Sequence, residues 1–437
     1  MEQANHKGLI RGIGRWDLVA LTINIIIGAG IFGLPSRIYS LTGAYSLLAY
    51  LVCALLIVLI ILCFAEVGSR FAETGGPYLY TRAAFGPVVG FEVGWLLWLA
   101  RVTAFAALCN LMIGYLSFFW PAVGAGLWRA VIITVVVISL TTVNLIGVRE
   151  AALVSNIFTV GKLVPLLLFV VVGLFFINPQ RFSFTTLPAY GSFSTAVLLL
   201  VFAFSGFEMA VIPSGEIRDP QRDIPFALLV ATGVIVLLYT LIQAVCVGTL
   251  PGLANSERPL VEASSQFLGA AGAAIISAGA VISVTGTLNT VTLAAPRILF
   301  AMAEQGQLPR VLAATHQRFH TPYVAILFSA AIMLILTLQG AFITALTIST
   351  IARLLAYMVT CLALPVLRRR SDVQPPGFKA PAGTAVSIAA VALSIWLLSN
   401  SSRTDARSVG LAAALGMLIY LAYRWLSGRQ TQQHLVI

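Results

Sequence analysis

The chain has 437 residues, of which 59% are hydrophobic and 9% are charged, and its mean hydropathy is +0.97. Soluble domains carry about 25% charged residues, so this composition excludes an ordinary soluble domain and indicates a surface built for lipid. The net charge of +11 is distributed between apolar runs rather than gathered in one patch, which argues against nucleic-acid binding.

Apolar runs of the length that crosses a bilayer recur along the whole sequence. Twelve are predicted to be transmembrane helices, numbered here as spans: 16–38, 43–68, 87–119, 126–146, 150–177, 191–213, 225–250, 270–304, 322–340, 343–367, 382–400 and 408–426. Short connections predict one integral domain over 1–437. If both termini lie in the cytoplasm, sixteen basic residues fall on the cytoplasmic side of the membrane and six on the outer side. This excess predicts cytoplasmic termini in a multi-pass protein of the plasma (cell inner) membrane. The predicted cytoplasmic set includes Lys7, Arg11, Arg15, Arg70, Arg82, Arg149 and Arg368.

The first span is interrupted where a helix should be most regular. Residues 24–35 read Asn-Ile-Ile-Ile-Gly-Ala-Gly-Ile-Phe-Gly-Leu-Pro. A glycine costs a helix interior about 1 kcal/mol relative to alanine, and a broken helix in hydrocarbon exposes backbone groups that need partners. Gly28, Ala29 and Gly30 therefore predict a helix that unwinds around a ligand.

Two alternative interpretations apply to these glycines. The segment 28–33 matches G-x-G-x-x-G, but a dinucleotide site needs a preceding strand and an acidic residue about 20 positions on, whereas the next acid is Glu66. The other alternative is that the glycines only allow close packing of helices.

A second interruption lies in the sixth span, where Ser205 and Gly206 precede Glu208. Interrupted hydrophobic segments at corresponding positions in two halves point to a transporter's binding site. The spacing predicts two inverted five-helix repeats, at 16–177 and 191–367, with two further helices at 382–426. The segments 159–163 (Thr-Val-Gly-Lys-Leu) and 350–354 (Thr-Ile-Ala-Arg-Leu) are weakly similar, as such a repeat requires.

Backbone physics suggests the ligand of the paired breaks. A half-helix that starts at a break presents free N–H groups, which suit a carboxylate. A half-helix that ends there presents free carbonyls, which suit an ammonium group. Two such breaks on facing helices recognise a zwitterion, so an α-amino acid is the predicted substrate.

Four motifs make the sequence similar to the amino acid–polyamine–organocation transporter superfamily. They are Gly28-Ala29-Gly30-Ile31-Phe32 with Pro35, Phe204-Ser205-Gly206-Phe207-Glu208, the segment from Glu216 to Pro225, and the segment from Arg297 to Pro309. The resemblance implies an all-α, leucine-transporter-like fold with helices 1 and 6 unwound. It also implies alternating access, with the substrate held between spans one, three, six and eight. Several members of that superfamily are proton-coupled symporters and others are exchangers.

The residues and the resemblance together give a set of candidate site residues. The predicted substrate-binding residues are Ile27, Gly28, Ala29, Gly30, Arg101, Phe105, Phe202, Ser205, Gly206, Phe207 and Thr287. Lys162 and Glu208 are predicted to couple transport to protons, because an ionisable group deep in a membrane is costly and usually functional. The alternatives are that Lys162 is held permanently by carbonyls of span one and that Glu208 only accepts hydrogen bonds from unwound N–H groups.

Arg101 is the most distinctive of these residues because it lies midway along the third span. Arginine stays charged when buried, so it needs an anion or several carbonyls. One hypothesis is that it meets a negative group of the substrate. The alternative is an internal ion pair or a carbonyl clamp.

The sequence favours a secondary transporter that carries amino acids, with proton symport preferred and exchange as the alternative. A channel is the alternative from a different class, although one pseudo-symmetric chain around two broken helices fits a carrier better. No enzyme motif or cofactor is expected. The expected partners are the amino acid, protons and the lipid bilayer, and a homodimer remains open.

Overall fold

The computed structural model describes residues 13–72, 75–146, 151–212, 214 and 217–433, and for 151–160 and 426–433 it describes the backbone alone. These residues form α-helices and short 3₁₀ turns without a β-strand, and one isolated bridge pairs Ile13 with Ile217. Lys7, Arg11, Arg149 and Glu216, which entered the charge and motif predictions, lie outside the described residues.

The α-helices are numbered in chain order. They are α1 (Arg15–Ile26), α2 (Gly30–Gly33), α3 (Pro35–Thr42), α4 (Ser46–Gly68), α5 (Pro77–Phe85), α6 (Pro87–Leu116), α7 (Gly126–Ile146), α8 (Ala151–Gly173), α9 (Tyr190–Phe204), α10 (Phe207–Ala210), α11 (Pro220–Thr249), α12 (Pro259–Glu304), α13 (Tyr323–Gln339), α14 (Phe342–Arg368), α15 (Gly383–Ser399) and α16 (Arg403–Gln433).

Within the described residues, nine helical segments are long and apolar enough to cross a membrane, and three shorter apolar helices accompany them. Each of the twelve apolar runs in the sequence coincides with one or more of these helices. The chain is therefore an all-helical, multi-pass membrane protein.

Several helix ends differ from the sequence-based boundaries. The first predicted span, 16–38, is divided among α1, α2 and α3. Helix α11 begins at Pro220 instead of 225, because the Asp219 side chain accepts a hydrogen bond from the Arg222 N–H and proline suits the first helical turn. Helix α12 begins at Pro259 instead of 270, and Gly269 (φ 61°) kinks it where the predicted span begins. Helix α5 was not predicted, because it is short and only moderately apolar.

The packing of the long helices is organised around α6, which is buried along most of its length. It packs against α14 and α12, and α12 in turn packs against α8. Helix α1 packs against α11, and α9 packs against α4. In an inverted repeat, spans one to five would correspond to spans six to ten. The contact of α6 with α14 (spans three and ten) then matches the contact of α12 with α8 (spans eight and five). The contact of α1 with α11 (spans one and seven) likewise matches that of α9 with α4 (spans six and two).

Basic residues that the sequence assigned to the cytoplasmic side gather at one end of the bundle. Arg15 pairs with Asp223 at 3.3 Å, and Arg82 donates to the Gln305 side chain at 2.6 Å. Arg368 forms two hydrogen bonds, of 2.7 and 2.6 Å, with the buried carboxylate of Glu66. One end of the bundle, called here the Arg15 end, therefore contains the start of α1, the end of α4, helix α5 and the ends of α12 and α14.

Candidate functional site

The first break lies between α1 and α2. The last regular hydrogen bond of α1 runs from the Ile27 N–H to the Ile23 carbonyl, and Ile27 itself is extended (φ −70°, ψ 93°). The N–H groups of Gly28, Ala29 and Gly30 donate to no acceptor among the described residues. Buried N–H groups are rarely left without a partner, so these three are suited to an anionic ligand.

The carbonyls freed at the end of α1 are bound from two other helices. Lys162 of α8 donates its ammonium protons to the carbonyls of Asn24, at 2.8 Å, and Ile27, at 2.9 Å. The Tyr239 hydroxyl of α11 donates to the Ile26 carbonyl at 3.2 Å. The carbonyl of Ile25 accepts no hydrogen bond from the part of the chain that is described. The lysine therefore satisfies much of the negative end of α1, and no carboxylate among the described residues forms an ion pair with it.

The second break lies between α9 and α10. Gly206 has a φ of +117°, which a residue with a Cβ rarely adopts, and this conformation ends α9 and redirects the chain into α10. The Gly206 N–H donates to the Glu208 carboxylate at 2.9 Å. The same oxygen accepts a hydrogen bond of 2.5 Å from the Tyr357 hydroxyl of α14. Glu208 thus accepts a hydrogen bond from an unwound N–H group.

Arg353 of α14 is the cation at this second break. It donates to the Ser205 hydroxyl and lies 3.6 Å from the other Glu208 oxygen. Arg353 and Lys162 occupy matching positions in the two similar five-residue segments of the sequence. Each therefore contacts one of the two breaks, Lys162 that of α1 and Arg353 that of α9.

The two breaks face each other across a narrow cavity of about 40 Å³. Its lining consists of Ile25, Ile26, Gly28, Ala29, Gly30, Ala104, Leu108, Phe202, Ser205, Gly206, Met209, Thr287, Thr290, Val291 and Arg353. The contact between the breaks is close, because a Cβ added at Gly30 would lie only 2.5 Å from the Ala203 Cα. The cavity is therefore enclosed largely by backbone and apolar side chains.

A wider vestibule of about 330 Å³ adjoins this cavity on the side of the Arg15 end. The two spaces share Ile25, Met209 and Thr290 in their linings. The vestibule continues past Tyr78 of α5 and Arg297 of α12. These three shared residues therefore separate the inner cavity from the vestibule.

The opposite end is closed by contacts between α2, α6 and α12. The Tyr115 hydroxyl donates to the Phe32 carbonyl at 2.7 Å, and the Ser277 hydroxyl donates to the Tyr115 carbonyl at 3.0 Å. Phe32 and Tyr115 also make an edge-to-face ring contact with centroids 5.9 Å apart. Access to the cavity in this conformation is therefore from the Arg15 end.

The structure brings some of the predicted site residues to the cavity surface and places others behind it. Those in the lining are Gly28, Ala29, Gly30, Phe202, Ser205, Gly206 and Thr287. Those behind the lining are Ile27, Arg101, Phe105, Lys162, Phe207 and Glu208, each nearly or fully buried.

Sequence reasoning did not assign several site residues. These are Ile25, Met209, Thr290, Tyr239, Arg353 and Tyr357. Two signals were available: Thr290 lies one helical turn after Thr287, and Arg353 stands in the segment that resembles the one around Lys162. The tyrosines gave no comparable signal, because tyrosine is common in membrane helices and no motif of the sequence includes Tyr239 or Tyr357.

Arg101 lies one turn before Ala104, on the face of α6 that reaches the cavity. Arg101 is 1% exposed, and its helix α6 packs against α14, which carries Arg353 and Tyr357. None of its three guanidinium nitrogens has a hydrogen-bond partner among the described residues. Glu92 of the same helix does not pair with it; both Glu92 oxygens also have no partner there.

The fold and this site define a helical membrane protein that encloses a small backbone-lined cavity between two broken helices. Residues 13–420 match the amino acid permease family, and the chain belongs to that family. The resemblance to the amino acid–polyamine–organocation superfamily is thereby confirmed.

Curated relatives span nearly the whole chain. The serine/threonine exchanger SteT of Bacillus subtilis is 30% identical, over 94% of this chain and 95% of the relative. The branched-chain amino acid permease BcaP of the same organism is 27% identical, over 96% and 94%. A methylthioribose transporter, also from Bacillus subtilis, is 27% identical, over 96% and 95%. The three are named as an exchanger, a permease and a transporter, and their different substrates show that family membership alone does not specify the ligand.

Proposed function

We propose that this protein is a secondary transporter that carries amino acids across the membrane by alternating access. The observation that carries the proposal is the pair of facing breaks. N–H groups at Gly28, Ala29 and Gly30 suit the substrate carboxylate, and the Ile25 carbonyl suits the ammonium group. Phe202 and Thr287 complete the wall around the ligand.

The packing supports a fold of two inverted five-helix repeats within twelve spans, with α15 and α16 outside the repeat. The matched helix contacts and the matched positions of Lys162 and Arg353 are what such a repeat requires. The gathering of basic residues at the Arg15 end supports cytoplasmic termini, and a plasma-membrane location is part of the same proposal. In this orientation the vestibule opens toward the cytoplasm.

For coupling, we favour proton symport through Lys162. Lys162 is 1% exposed, and its hydrogen-bond acceptors among the described residues are the carbonyls of Asn24 and Ile27. Burial makes the charged form of an amine costly, so a proton can leave when the helix break rearranges. Loss of that charge weakens the attraction to the end of α1, which links protonation to the shape of the site. Glu208 is the second candidate for a proton-linked role.

Exchange is the alternative mode of transport, because the relative at 30% identity is named as an exchanger. Purified protein in liposomes, tested with a panel of amino acids with and without an imposed pH gradient, separates the two modes. Symport gives saturable uptake that the gradient drives into empty vesicles. Uptake that ignores the gradient and requires internal substrate replaces symport with exchange. Ohmic conductance without counterflow contradicts a carrier altogether.

Lys162→Met tests the coupling role directly. We expect it to abolish gradient-driven uptake while substrate counterflow persists. Lys379→Met is the matched control, because Lys379 is exposed and lies between α14 and α15. A Lys162→Met protein that still concentrates substrate in response to the gradient contradicts the assignment.

A further inference from the structure

The buried charges beside the cavity do not balance. Arg101 of α6 and Arg353 of α14 lie on two helices that pack against each other, and Arg353 is 3.6 Å from the carboxylate of Glu208; all three residues are almost fully buried. Glu208 is already engaged by the Gly206 N–H, the Tyr357 hydroxyl and Arg353. Among the described residues, no second carboxylate forms an ion pair with either arginine. The cluster therefore carries one excess positive charge.

Arg101 is the member of the cluster that lacks hydrogen-bond partners. It exposes 1% of its surface, and none of its guanidinium nitrogens donates to any described residue. Arginine does not release its proton in proteins, so it cannot avoid the cost by becoming neutral. An uncompensated buried charge is strongly destabilising. An anion that forms paired hydrogen bonds with the guanidinium removes that cost.

The anion can reach the cluster from the cavity. Arg353 is part of the cavity lining, and Ala104, one turn from Arg101 on the same face of α6, is part of it too. The α-carboxylate of an amino acid is already assigned to the N–H groups at Gly28 to Gly30. A second anionic group is therefore required to satisfy the arginines.

We propose that Arg101, with Arg353, binds the side-chain carboxylate of the substrate, so that the transported amino acids are acidic ones such as glutamate and aspartate. This inference rests on the proposed function and specifies its substrate class. It assigns to Arg101 a role in specificity, while the backbone at the two breaks holds the amino and α-carboxyl groups common to all amino acids.

The test is competition and direct uptake with purified full-length protein in liposomes. Glutamate and aspartate are compared with glutamine and asparagine, which have nearly the same shape but no side-chain charge. The acidic members should be preferred at least tenfold. Saturable transport of neutral amino acids with exclusion of acidic ones overturns this inference and leaves the proposed function standing. Transport of no amino acid in the panel overturns both.

Substitution of Arg101 gives a second, independent readout. Arg101→Gln should lower the ratio of glutamate to glutamine uptake at least tenfold, and Arg101→Lys should keep more of that preference. Arg129→Gln is the matched control: Arg129 of α7 contacts the Asn110 side chain and the Thr337 carbonyl, away from the cavity, so the ratio should not change.

Equal loss of glutamate and glutamine uptake in a monodisperse Arg101→Gln protein overturns the assignment. The assignment is also overturned if the protein transports neutral amino acids and strictly requires chloride, because the arginines would then hold an inorganic anion. If Arg101→Gln does not fold, the wild-type competition between acidic amino acids and their amides still decides the question.

Discussion

The close contact between the two broken helices can be tested by adding one methyl group. In Gly30→Ala, the new Cβ would lie 2.5 Å from the Ala203 Cα and 2.6 Å from its Cβ. Carbon atoms pack at about 3.5–4.0 Å, so α2 and α9 would have to separate by about 1 Å. The obstructing atoms include backbone, so a change of rotamer cannot relieve the clash. Overpacking of this kind costs about 1–3 kcal/mol.

Gly28→Ala is the matched comparison, because it adds the same methyl group two residues earlier. Its nearest neighbour would be the Thr287 Cγ2 at 3.3 Å, the end of a side chain that can move. We expect Gly30→Ala to lower the thermal unfolding midpoint of the purified protein by several degrees and to reduce uptake strongly. Gly28→Ala should lower the midpoint less.

The refuting result is a Gly30→Ala protein with the midpoint and initial uptake rate of the wild type. That result would mean that the two breaks do not touch at Gly30 and Ala203. A larger loss of stability in Gly28→Ala than in Gly30→Ala would also contradict the reasoning. Both proteins need to be compared in one detergent and at one protein density in liposomes.

Two further substitutions test contacts at the site, and a third tests an ion pair at the Arg15 end. Tyr357→Phe removes the 2.5 Å hydrogen bond to the buried Glu208 carboxylate and should lower the free energy of unfolding by about 1.5–3 kcal/mol, measured by thermal or denaturant unfolding; an unchanged midpoint contradicts this. Gly206→Ala places a Cβ at φ +117° and should cost about 1–3 kcal/mol, so wild-type stability and uptake would show that the break has another conformation. Glu66→Gln should destabilise the Arg15 end, because it removes the anion that pairs with the buried Arg70 and with the partly exposed Arg368. A double-mutant cycle with Arg368→Gln measures this coupling, and strictly additive effects would contradict the ion pair.

The sequence by itself located most of the long helices and the two places where the first and sixth spans break. Helical spans follow from long apolar runs, because a chain in lipid must satisfy its own backbone hydrogen bonds. The breaks at Gly28 to Gly30 and at Ser205 and Gly206 follow from local conformational preference, since glycines at those depths are costly in a regular helix. Local rules suffice for these features because each depends only on neighbouring residues.

Helix ends were less predictable where capping decided them. The predicted seventh span begins at 225, but Asp219 caps the helix earlier and Pro225 lies inside it. Helix α5 has too little apolar length to stand out, although its Tyr78 lines the vestibule. These features depend on single side-chain contacts that hydropathy does not report.

Only the tertiary structure decided which charges meet. Lys162 reaches the carbonyl of Asn24, 138 residues away in sequence, and Arg353 reaches Glu208 from α14. The sequence marked Lys162, Glu208 and Arg101 as costly in a membrane. It could not say that Lys162 and one Glu208 oxygen have hydrogen-bond partners, whereas no Arg101 nitrogen has one among the described residues. The faces of α6, α8 and α14 are apolar nearly all round, so their orientation is set by packing between helices and not by any pattern along the chain. The partners of a buried charge follow from that packing, which is why the excess positive charge at Arg101 became visible only in the folded protein.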